Sequence, residues 1–174
     1  MKHCDEVVPP YDYDEKITDG RNLKDAHADA YEKTTKALFE IWGPHAEIYS
    51  FTSTGHKVSE TYTGSFVSFR HLVRKVGKFR CGADIKRLGK VPEMFDQSIY
   101  QEEGKRQLLR VWGGSKEGED RPMLYMHRDG SKKLGEMNAT DPALTTIMFQ
   151  NCLAQYTGNE PLIEVVRQDI RRIC

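Results

Sequence analysis

Across residues 22–42, Leu23, Ala26, Ala30, Tyr31, Thr34, Ala37, Leu38, Ile41 and Trp42 recur every three or four positions, which places them on one helical face. Lys24, Asp29, Lys33, Lys36 and Glu40 fall on the opposite face. Asn22 can cap the first turn, Asp25 complements its dipole, and Gly43-Pro44 ends the helix because proline cannot continue the hydrogen-bond ladder. Two β-prone runs follow, EIYSFT and KVSETYT. The residues between them, Ser53, Thr54, Gly55 and His56, read as the turn of a hairpin. The period then returns to helical. Phe66, Phe69, Leu72, Val73 and Val76 form a stripe over residues 65–76, with Ser65 as cap, Gly77 as stop, and Arg70, Arg74 and Lys75 on the solvent side.

Beyond Gly77 the runs KFRCGADIKRLGKV, QSIYQEEG, KRQLLRVWGG, RPMLYMHRDG and KKLGEM have strand lengths, broken at Glu103-Gly104 and Asp129-Gly130. No helical crossover separates them, so an antiparallel meander is expected. Helices are expected again over residues 142–157, opened by Thr140 or Asp141 with Pro142, and over 161–173. Residues 1–21 hold Asp5, Glu6, Asp12, Asp14, Glu15 and Asp19 around Pro9-Pro10, with few apolar residues. They read as a flexible acidic arm, because such a segment cannot offset its ordering entropy alone. The expected class is therefore α+β: a curved antiparallel sheet, a long N-terminal helix, a short crossing helix and two C-terminal helices, in one domain over residues 22–174.

One local pattern carries a resemblance. EIYSFT, a turn, KVSETYTG and then SFVSFRHLVRKV, followed later by QLLRVWGG and RPMLYMHRDGSKK, is similar to the nuclear transport factor 2-like family over residues 22–137. The resemblance implies a cone-shaped α+β fold, a sheet whose concave face forms a pocket or packs a partner, and dimerisation. The long first helix is not followed by a second one, and the C-terminal helices are extra. A lipocalin-like barrel or an unrelated α+β sheet accommodates the same strands. The family's fold hosts enzymes and adaptors alike, so it does not choose between them.

The chain has 174 residues, a size typical of one domain, and its 26 basic and 26 acidic residues cancel. With 38% hydrophobic residues it can build a core without a metal or disulfide staple. There is no apolar run of membrane-spanning length and no leader-like opening, which leads to the expectation of an intracellular, cytoplasmic or nuclear protein. Cys4, Cys81, Cys152 and Cys174 show no metal-site spacing and are expected as free thiols. No cofactor motif is present, and no metal site is expected.

Charge is unevenly placed. Residues 70–90 carry Arg70, Arg74, Lys75, Lys78, Arg80, Lys86, Arg87 and Lys90 against the single acid Asp84. Such a band steers charged partners, so it is the candidate binding surface for an acidic protein segment. It also suits RNA or another polyanion, with Phe79 or Tyr100 to stack a base, or it is a solvated face balanced by the acidic arm. The cone of the resemblance would be lined by Tyr49, Tyr62, Asp84, Trp112, Tyr125 and His127, with Tyr100 as a further acid–base candidate; isomerases and dehydratases of this fold use Asp, His or Tyr there. Nothing in the spacing makes these groups converge, and no catalytic set is nominated. The leading expectation is a non-enzymatic adaptor, homo- or heterodimeric; the alternatives are a cone-using enzyme and a polyanion binder.

Overall fold

A computed structural model describes residues 6–105, 121, 123–126, 134–135, 154–155 and 157–167. The order of elements is β1 (Pro10–Lys16), α1 (Leu23–Trp42), β2 (Glu47–Thr52), β3 (Gly55–Val58), β4 (Thr63–Arg74), α2 (Gly82–Arg87), a 3-10 turn (Gln97–Ile99), β5 (Leu124–Met126) and β6 (Leu134–Gly135). The strands form one antiparallel sheet in the order β1-β4-β2-β5-β6, with β3 also on β4. This sheet is open among the described residues. The α+β class and the antiparallel sheet stand, whereas the helix count differs: two α-helices occur among the described residues.

The first helix forms as its pattern requires. Asn22 accepts a hydrogen bond from the Lys24 amide at 2.8 Å, Ala26, Ala30, Thr34 and Leu38 are buried, and Gly43 leaves the helix at φ 88°. Only a residue without a Cβ takes that conformation at low cost.

Residues 65–76 are not a helix but the body of β4. Every residue from Phe66 to Arg74 is buried, because α1 covers one face and β1 and β2 flank both edges. Ser68, Arg70 and Arg74 alternate with Val67, Phe69 and Val73, but Phe66 and Leu72 fall on the polar face and His71 on the apolar one, and with the alternation blurred the apolar positions fit a helical stripe as well. Aromatic and β-branched Phe66, Val67, Phe69 and Val73 favour the pleated form. The crossing helix of the family expectation is therefore absent at that place.

The hairpin also lies elsewhere. EIYSFT and the segment after it do not pair with each other; both lie along β4, and Gly55↔Phe66 continues the register set by Thr52↔Phe69. At the break, Ser53 N–H donates to Ser68 O at 3.1 Å, and the Thr54 hydroxyl accepts from Ser68 N–H at 3.0 Å. A side-chain oxygen thus stands in for a carbonyl, and β2–β3 act as one bent strand. The true turn is at residues 59–62, where the Ser59 amide donates to Tyr62 O at 2.8 Å.

Nor is the acidic arm loose where it is described. Residues 10–16 pair with β4 over their whole length, and Tyr11 is fully buried. Tyr11 and Tyr13 face α1 with His71 and Phe69, while Asp12 and Asp14 face the other way beside Arg70 and Ser68. The alternation Tyr-Asp-Tyr-Asp is a strand signal that the acid count conceals.

Three further expectations change. Residues 78–91 give isolated bridges at Lys78 and Phe79 and then the short helix α2, which Gly89 ends at φ 70°. Residues 97–104 make a 3-10 turn capped by Asp96 and a tight turn, not a strand. Residues 161–167 contain no helix; β-branched Ile163, Val165 and Val166 weaken it, and Leu162 instead bridges Lys78 in parallel. The expected strand over 105–114 and helix over 142–157 lie almost wholly outside the described residues, as do Cys4, Cys152 and Cys174. Cys81 is a buried free thiol at the head of α2, not a strand residue. No described helix is long and apolar enough to cross a membrane.

Candidate functional site

The basic band does not emerge as one solvated face. Arg70 and Arg74, expected to point to solvent, are only 5% and 7% exposed, because they lie on the face of β4 opposite α1. Asp12 is the cross-strand neighbour of Arg70, and the two form a two-pronged ion pair with Nε–Oδ1 2.8 Å and Nη2–Oδ2 2.9 Å. Such parallel hydrogen bonds are what a planar guanidinium makes best with a carboxylate. The Arg74 guanidinium stands 5.9 Å over the Tyr49 ring. Lys75 is exposed at φ 66° and reaches Glu47 at 3.1 Å.

Farther along, acids distant in sequence meet the remaining cations. Lys78 pairs with Glu6 at 2.6 Å and Arg80 with Glu164 at 2.8 Å. Arg87 pairs with Asp84 and with Glu102, while Arg167 holds Asp84 at 2.9 Å and Glu103 at 3.0 Å. Burial alone would raise the Asp84 carboxyl, but hydrogen bonds from Arg167 and Arg87 outweigh it and hold the group below the usual carboxylate range. Lys90 donates to Ile41 O at 3.1 Å and lies over the Trp42 ring, and Lys86 is exposed on α2.

Among the described candidates, Tyr49, Tyr62 and Asp84 stand apart. Tyr49 sits opposite Leu72, whereas Tyr62 donates to Ser65 O at 2.6 Å. Seven strand positions separate those two points of β4, roughly 23 Å at the rise of a strand. Asp84 is bound in its arginine cluster on α2, and Tyr100 donates to Pro10 O from a buried site. Tyr125 lies in β5 opposite Phe51. Trp112 and His127 lie outside the described residues.

Sequence reading passed over His71, an enclosed titratable group. It is fully buried, its Nδ1 is 2.7 Å from the Ser50 hydroxyl, and its Nε2 is 2.8 Å from the Thr34 hydroxyl. Thr34 also donates to Ala30 O at 2.8 Å, so it accepts from Nε2–H, and Ser50 donates to Nδ1. Burial holds the imidazole neutral, its pKa lowered to about 3. A serine–histidine contact closed on both sides and shut from solvent is a core network, not a nucleophile pair.

Beyond β4, Arg74 and Lys75 line an open cleft of about 440 Å³ with Thr157, Gly158, Asn159, Glu160 and Pro161. Two cations, a hydroxyl, an amide and one carboxylate are among the groups around it. The floor is ordered by Glu160, whose carboxylate accepts from the backbone amides of Lys75 at 2.5 Å and Gly77 at 2.9 Å. Among the described residues no group of three metal-ligating side chains occurs.

Compared with protein-family models, curated proteins and solved structures, the chain gives no significant match.

Proposed function

We propose that this chain is a non-enzymatic interaction module that takes an acidic protein segment at the Arg74–Lys75 end of β4. The observation that carries the reading is the open cleft that Arg74 and Lys75 line together with Thr157 and Asn159. A guanidinium and an ammonium at its wall suit carboxylates, and exposed Lys75 supplies long-range attraction. Two observations favour a protein segment over the alternatives. Phe79 and Tyr100, the rings expected to stack a nucleic-acid base, are buried at 0% and 7% exposure. Of the described acid–base candidates, Tyr49 and Tyr62 lie at opposite ends of β4, and the Asp84 carboxylate is taken by Arg87 and Arg167.

The test is fluorescence anisotropy with a labelled polyglutamate peptide. Binding at low salt should weaken with added salt, and Lys75→Glu should weaken it by about tenfold. Equal binding by wild type and Lys75→Glu, or none by wild type, refutes the reading. A single-stranded RNA probe that binds more tightly than polyglutamate, and loses that binding in Lys75→Glu, transfers the site to polyanions.

A further inference from the structure

The floor of this cleft already holds a carboxylate, and it belongs to the chain itself. Glu160 spans the amides of Lys75 and Gly77, the Lys78 amide donates to Pro161 O at 2.8 Å, and the Ile163 amide donates to Lys78 O at 2.9 Å. Residues 160–163 therefore lie along residues 75–79 as a short extended segment, with Lys78 and Leu162 in a parallel bridge. Gly77 makes the approach feasible. It sits at φ 116°, and a Cβ there would stand 2.5 Å from the Ile163 side chain and 3.1 Å from Pro161 O. Ile163 then packs against the core cluster beside Phe79 and Val76. Three features are read at once: an acid, an extended backbone, and a branched apolar side chain three residues later.

The ion pairs that flank the segment on its C-terminal side are largely exposed. Glu164 is paired with Arg80 and Arg167 with Glu103, each of these four side chains more than one-third exposed, although Arg167 also holds the buried Asp84 at 2.9 Å. Exposed pairs contribute little and are screened by salt. Val166 is 91% exposed, so the apolar anchoring is confined to Ile163 and Val165.

We infer that residues 160–163 are a displaceable internal occupant of a peptide-accepting groove, and that the partner is an extended segment with the same order of groups: a carboxylate followed three residues on by a branched aliphatic side chain. This rests on the proposed interaction at the end of β4 and specifies its partner. Main-chain hydrogen bonds supply affinity in such strand addition, while the carboxylate and the apolar side chain set register. The internal copy lowers apparent affinity by occupying the groove.

The experiment uses the full chain and a labelled synthetic peptide of residues 157–167. Glu160→Ala combined with Ile163→Ser empties the groove, and this variant should bind the peptide about tenfold more tightly than wild type. A folded variant that binds no better overturns the inference. Native-state hydrogen exchange on wild type decides the case even if the variant does not fold. The amides of Gly77, Lys78 and Ile163 should exchange about tenfold faster than that of Val73 in β4, and faster still in salt. Protection equal to Val73, unchanged by salt, means a permanent clip and overturns it. Polyglutamate binding that depends on Lys75 survives that outcome, so the two readings fail separately.

Discussion

The two faces of β4 are buried by different means. Toward α1 the strand presents Val67, Phe69, His71 and Val73, and these meet Tyr11, Tyr13, Ala30 and Leu38; the one polar group, His71, is neutral and bonded at both ring nitrogens. The opposite face presents Phe66, Ser68, Arg70, Leu72 and Arg74. Its polar groups reach Asp12, Asp14 and Tyr49, while Leu72 packs with Phe51, Met123 and Ala154. One face rests on area removed from water, the other on matched charge inside a partly apolar wall. The contrast teaches that a basic count along a chain does not measure a basic surface.

Breaking the charged face should have the largest effect. Asp12→Ala takes the paired carboxylate from the buried Arg70 guanidinium and should cost about 3–5 kcal/mol in urea unfolding. Asp12→Leu with Arg70→Met removes both charges and should recover most of that loss, since well-packed apolar replacements of buried pairs are often neutral. If the double variant is as unstable as the single, the face does not depend on charge matching.

The next test concerns the end of β4, where backbone shape is decisive. Gly77→Ala places a Cβ against Ile163 and Pro161 at φ 116°, and should cost about 2–4 kcal/mol from strain and overpacking together. Gly20→Ala is the control, because it shares positive φ but has nothing within 4 Å. It should cost only the strain, of order 1 kcal/mol. Equal losses at the two sites, measured by denaturant midpoint, would remove the packing part of the argument.

The α1-side face should respond to pH. His71 has a folded pKa of about 3, lowered by burial, so the unfolded chain binds the extra proton. Its contribution is complete above the unperturbed value near 6.5 and declines as pH falls toward about 3. Between pH 6.5 and 5, above the range of carboxylates, stability should drop by about 2 kcal/mol. His71→Gln should flatten that slope; a slope that persists unchanged would assign it elsewhere.

These elements differ in how legible they were. The periodicity of α1, the Asn22 cap and the Gly43 stop act within a few residues, so local sequence reports them fully. β2 was legible too, from its β-prone run. β4 was not, because Phe66 and Leu72 on its charged face and His71 on its apolar face blur the alternation, so that its apolar positions fit either period. β1 was hidden by its acids, although Tyr11 and Tyr13 alternate with Asp12 and Asp14 in strand period. The charges of residues 70–90 could be counted but not placed. Their partners Glu6, Asp12, Glu102 and Glu164 come from other parts of the chain, and only the fold brings them near. The cleft was illegible for the same reason: residues 157–161 meet the end of β4 through tertiary contact alone.

The smallest effect closes the comparison on ion pairs of the same band. Arg80–Glu164 has the same chemistry and nearly the same length as Arg70–Asp12, 2.8 Å in both, but its side chains are 50% and 70% exposed against 6% and 16%. In water the attraction is screened, and holding two long side chains in one geometry costs rotamer entropy. Removing either exposed partner leaves the other fully hydrated, so no desolvation penalty is stranded as it is at Arg70. Arg80→Ala and Glu164→Ala should therefore leave the urea midpoint unchanged, and a double-mutant cycle should give a coupling near zero that vanishes in high salt. The cycle on Arg70 and Asp12 should give a large coupling that salt barely alters. If the Arg80–Glu164 coupling rivals that of the buried pair, exposure does not rank these interactions, and the band must be treated as one cooperative network rather than as separate pairs with separate strengths.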